Sequence, residues 1–143
     1  MIDALIDFVV NDFDAQCKAL FDALPKTNRV AAMLDCLFGA LSRTDPDMVM
    51  AFQALVAAAD RYPKARKALL DWTLQFIEAV GAELAAAFPS AVKDKVEASA
   101  HGIVALYFSA DSLHPLHPPK RWNRATRAAA DLLVRSLKES QDG

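Results

Sequence analysis

Three histidines and two cysteines carry the side chains best suited to metal or nucleophilic chemistry in this 143-residue chain. His114 and His117, with His101 and Asp111, could offer three imidazoles and a carboxylate to a metal ion. The spacing is not distinctive, and Pro115, Pro118 and Pro119 make the segment from Asp111 to Pro119 an extended interhelical loop rather than a helix face. No metal or cofactor is expected. Cys17 and Cys36 lie in apolar helical stretches without metal-type or redox-type spacing, and read as reduced core residues. Neither has a neighbouring histidine in sequence to activate it, and the chain has no Gly-rich phosphate loop, Gly-x-Ser-x-Gly or His-Glu-x-x-His motif. An enzyme is not expected.

Lys120-Arg121-Trp122-Asn123-Arg124 with Arg127 is the strongest basic cluster. Positive charge is disfavoured by the macrodipole at a helix start, so the cluster could answer to an external anionic partner. The plainer reading is a solvated helix face, with Trp122 covered at a subunit seam. The net charge of -2 gives the whole chain no general attraction to phosphate backbones.

Prolines divide the chain into about six helices, because proline is tolerated in a first helical turn and breaks an interior one. The first is expected from about Ile2 to Leu24, with Ile2, Leu5, Ile6, Val9, Phe13, Cys17 and Leu20 on one stripe. The second is expected from Arg29 to Ser42, with Asn28 as its cap and Leu41 among its buried residues. Asp45-Pro46 should cap and open a short third helix reaching about Asp60. The fourth, about Lys64 to Phe88, is apolar over much more than one stripe and should sit centrally. Ser90 is expected to cap a fifth helix from Ala91 to about Ser109, and Pro119 to open a sixth reaching about Lys138.

No alternating run bounded by turn dipeptides reads as a strand, so an all-α fold in a single domain spanning 1–143 is expected. With 54% hydrophobic and 24% charged residues, the chain has ample core material. It has no membrane-spanning apolar run, and Asp3 and Asp7 replace the basic start of a secretory signal, so a cytoplasmic chain is expected.

The fifth and sixth helices carry small residues where a core helix would carry large ones: Ala98, Gly102 and Ala105, then Ala125 and Ala129 beside Trp122, Leu132 and Leu133. Such helices can pack against their copies as a four-helix bundle about a two-fold axis; tight packing within one chain is the alternative. Large or polarisable side chains at inward helical spacing are Phe8, Phe13, Met33, Phe38, Phe52, Trp72, Phe76, His101 and Tyr107, candidates either for ordinary core or for the wall of a small-molecule cavity. For His101 a satisfied core histidine, an interface residue and a ligand partner all stay open.

The order and lengths of these helices, Thr44-Asp45-Pro46-Asp47, the run Tyr62-Pro63 to Arg66, and the run Ala98 to Leu106 together resemble the C-terminal region of the tetracycline-repressor (TetR/AcrR) family of transcriptional regulators. The resemblance covers nearly the whole chain. It implies a homodimer built through the last two helices and an effector cavity enclosed by helices one, two, four and five. Family members normally begin with a helix-turn-helix domain, and none precedes Ile2, so direct nucleic-acid binding by these residues alone is not expected. The implied function is effector sensing and dimerisation within a repressor-type regulator, with a small apolar ligand. A stand-alone protein that binds another transcriptional regulator, and a small helical lipid or ligand carrier, are the alternatives.

Overall fold

The computed structural model describes residues 2–39 and 45–142. Six α-helices, α1 (Ile2–Asp22), α2 (Arg29–Phe38), α3 (Pro46–Ala57), α4 (Pro63–Ala87), α5 (Lys93–Leu113) and α6 (Lys120–Asp142), are joined by short connections, and a 3-10 turn at His114–Leu116 follows α5. No strand occurs among the described residues, and none of their helices is long and apolar enough to cross a membrane. The all-helical expectation is met. Leu41 and the expected end of the second helix at Ser42 lie outside the described residues.

The long helix α4 is central and packs against α1, α2, α3 and α5. Its buried residues Ala65, Leu69, Trp72, Phe76, Val80 and Leu84 recur at three- and four-residue intervals and face the core, while Leu70 and Leu74 stay about half exposed. From α1 come Ile6, Val9 and Phe13; from α2, Val30, Met33, Leu34 and Leu37; from α5, Val96, Ala100, Ile103 and Val104; from α6, Ala130 and Leu137. Leu5, placed by periodicity on the buried stripe of α1, is 41% exposed at its edge.

Helix ends follow their local chemistry unevenly. Asp45 caps α3 as expected, its carboxylate accepting a 2.9 Å hydrogen bond from the Asp47 amide, with Pro46 in the first turn. Asn28 precedes α2 but takes a left-handed conformation (φ 54°) and its side chain makes no cap bond, so it serves as a chain reversal. Ser90 is not the cap of α5 either: residues 88–91 close a turn through the Ala91 amide and Phe88 carbonyl, and Val92 holds the cap position. Helix α3 stops at Ala57 rather than Asp60, and α6 runs on past Lys138 to Asp142. The expected loop from Asp111 is helical as far as Leu113 and then a 3-10 turn, since Pro115 fits an N-terminal turn; left-handed His117 (φ 51°) reverses the chain.

Helices α5 and α6 approach closely at Gly102, where an added Cβ would lie 2.7 Å from Leu133 Cδ1. Across the molecule, Arg29 donates two hydrogen bonds to Glu83 at 2.9 and 2.8 Å and a third to the Pro25 carbonyl, tying α2 to α4. Arg127 on α6 bridges Asp35 of α2 and Asp131 of its own helix. The hydrogen bonds from Arg29 hold the Glu83 carboxyl below its ordinary value, so this pairing stabilises the fold above the carboxylate range and loses that contribution as pH falls through it. In urea unfolding, wild type should therefore exceed Glu83→Gln in stability at neutral pH, and the two should converge as the pH is lowered into and below the ordinary carboxylate range. A gap independent of pH would show that the pair is not the source.

Candidate functional site

Seven aromatic side chains meet where α1, α3, α4 and α5 converge. Trp72 is their hub: its ring lies 5.2 Å from Phe13, 5.7 Å from Phe52, 5.5 Å from Phe76 and 6.0 Å from Phe108. Phe13 and Phe52 meet edge to face at 5.1 Å, and Phe76 stacks on Tyr107 at 5.8 Å and touches Phe21. These separations fit the offset and T-shaped contacts that aromatic quadrupoles favour.

One side of this cluster is open. A cavity of about 540 Å³ lies between α3, α4 and the C-terminal half of α5, with Phe13 and Phe52 in its wall. Val49, Phe52, Gln53 and Val56 give one face of α3, and Arg66, Leu69, Leu70 and Thr73 the facing stripe of α4. Tyr107, Phe108, Asp111 and Ser112 of α5 close the third side. The volume is within the range of small-molecule pockets, and the lining is apolar apart from a few polar groups. The Thr73 hydroxyl donates to the Leu69 carbonyl at 2.8 Å, and Tyr107 and Asp111 are engaged within the protein. Arg66 has no side-chain hydrogen bond or ion pair among the described residues.

Of the residues singled out for a cavity, Phe13, Phe52 and Tyr107 line it, while Trp72 and Phe76 lie behind them in the aromatic floor. The other four do not. Phe8 is 63% exposed, because it falls about 100° around α1 from buried Val9. Met33 is fully buried in the general core and Phe38 packs partly against it, both on α2, which contributes nothing to this cavity. His101 is exposed: Ser99, Ala100, Ile103 and Val104 face inward, leaving 101 on the outer side of α5. The cavity is thus bounded by α3, α4 and α5 with one residue of α1, rather than enclosed by helices one, two, four and five. Phe108, Arg66 and, on α3, Val49, Gln53 and Val56 were not singled out by sequence; the matching i, i+3, i+4, i+7 spacing of Val49–Val56 and Arg66–Thr73 is the signal that marks the two stripes, and it does not reach Phe108.

Among the small-residue positions, Gly102 and Leu133 meet each other within the chain. Ala98, Ala105, Trp122, Ala125 and Leu132 are exposed and Ala129 is half-buried, all on the side of the α5–α6 pair turned away from the core. The basic start of α6 is likewise exposed.

A second cleft of about 600 Å³ between α2, the end of α4 and α6 is lined by the ion pairs of Arg29 with Glu83 and Arg127 with Asp131, together with exposed Lys26. No group of three or more histidine, cysteine or carboxylate side chains among the described residues is placed to hold a metal ion, although the His114 and His117 rings lie 6.2 Å apart. Both cysteines are free thiols and half-buried rather than core; burial first, then nearby Asp14, pushes the Cys17 thiol up to about 11 and keeps it protonated. Comparison with protein-family models, curated proteins and solved structures finds no match to this chain.

Trp72→Ala should cost about 3–5 kcal/mol of folding stability, the range for truncating a large buried aromatic. Phe8→Ala should stay within about 0.5 kcal/mol, as for an exposed site. Urea titration of both variants checks the assignment of floor and surface.

Proposed function

We propose that these residues form the effector-binding and dimerisation module of a TetR-like transcriptional regulator. The observation that carries the reading is the apolar cavity bounded by two facing helical stripes and backed by an aromatic floor. Its walls belong to helices with other duties. Phe13 connects the cavity to α1, the helix that corresponds in the resembled family to the one joined to the DNA-binding domain. Tyr107 and Phe108 connect it to α5, which with α6 bears the outward small-residue face.

A ligand seated between α3 and α4 acts by binding one arrangement of these helices better than another. Its differential contacts with Phe13 and Phe108 would then bias the position of α1 and of the α5–α6 pair together. The outward face of Ala98, Ala105, Trp122, Ala125 and Leu132 suits an isologous contact, in which the same patch of two copies meets across a two-fold axis. Small side chains let the helices approach, and Trp122 and Leu132, 43% and 57% exposed, supply apolar area to bury.

A second reading has its own observation. Leu5 and Phe8 leave an exposed apolar strip on α1, 41% and 63% accessible, which suits a regulator that works by binding another regulator. Subunit composition separates the two.

Native mass spectrometry of the wild-type chain should give a dimer at micromolar concentration, with a retained small molecule in a fraction of the population. Leu132→Glu should be monomeric with an unchanged far-ultraviolet circular dichroism spectrum. A wild-type monomer would remove the α5–α6 interface and leave the heteromeric reading in its place.

A further inference from the structure

We propose that the cavity between α3, α4 and α5 takes an amphipathic acid, its apolar body lying along the α4 stripe and its single carboxylate held by Arg66. This rests on reading that cavity as the effector site. Arg66 is the one cationic residue in the lining, and its guanidinium has no hydrogen bond or ion pair among the described residues. The anionic lining residue, Asp111, lies on α5 and is already engaged within the protein, which leaves Arg66 on α4 as the lining group that would meet a carboxylate.

The placement of Arg66 sets the direction of the ligand. It is exposed and lies one turn before Leu69 and Leu70 and two turns before Thr73 on the same face. The stripe from Arg66 to Thr73 is about 10 Å long at the helical rise. A head group at Arg66 would remain at the solvated mouth, so a carboxylate would keep much of its hydration while the chain enters among Leu69, Phe52 and Phe13. A planar guanidinium can bind a carboxylate through two parallel hydrogen bonds, which a hydroxyl head group cannot match.

Isothermal titration of the full chain with decanoate and with decan-1-ol tests this, since the two share an apolar body and differ in the head group. Wild type should bind decanoate about fivefold more tightly than the alcohol, the scale of one partly screened charge pair. Arg66→Gln should lose that preference by weakening decanoate alone, and Arg66→Lys should restore part of it, with all three proteins equally helical. Equal binding of both probes to wild type, or equal weakening of both by Arg66→Gln, would overturn the role of Arg66 and leave the apolar effector site standing. Binding of neither probe to wild type would overturn both the inference and the effector-site reading beneath it.

Discussion

The packing of Trp72 constrains more of this structure than any other contact. A large aromatic on the central helix must be covered on several sides, and here Phe13, Phe52 and Phe108 cover it from three different helices. This single side chain therefore fixes how α1, α3 and α5 sit around α4. Aromatic pairs add to area burial through edge and face preferences, so the arrangement favours a limited set of ring geometries over a generic oily contact. The same rings that hold the helices together form the floor of the cavity. Stability and the shape of the cavity consequently draw on one cluster.

The other end of the bundle is organised by different physics. There α2 and α6 carry few aromatics in contact, and bidentate Arg29–Glu83 and bridging Arg127 supply directional links instead. Glu83 is the more sheltered partner of its pair, so its desolvation offsets part of the attraction, and the lowered carboxyl pKa records the balance that remains. Pairing also engages both arginines of that region. The second cleft has comparable volume to the first, but its arginines already have partners, whereas Arg66 at the first has none among the described residues.

Much of the architecture was legible because it depends on local rules. Proline positions separate the helices, Asp45-Pro46 both caps and opens α3, and the broad apolar surface of α4 marks it as central. Features decided by tertiary contact were less so. His101 sits on a helix rich in small apolar residues, but which side of that helix is inward depends on where α4 and α6 lie, and they cover Ala100 and Ile103 instead. Phe8 has the right residue type and the wrong phase around α1. Asn28 has a side chain fit for capping, yet it enters α2 in a left-handed conformation and makes no cap bond, and Val92 rather than Ser90 holds the cap position of α5. The cavity itself belongs to two stripes that are ordinary in isolation and become a site only when α3 and α4 face each other.

The short length of α3 explains why the opening occurs there. Its one buried residue is Leu55, whereas α4 buries six, so α3 is held by Leu55 and by the partly buried Met48, Ala51 and Phe52. Few fully buried apolar side chains of α3 reach across to α4, and the space left between the two helices is the cavity. At the opposite seam, between α5 and α6, the absence of a side chain at Gly102 lets Leu133 pack against the helix backbone. Any displacement of α3 would be felt by the rings that Phe52 touches on both neighbouring helices, Phe13 of α1 at 5.1 Å and Phe108 of α5 at 5.9 Å.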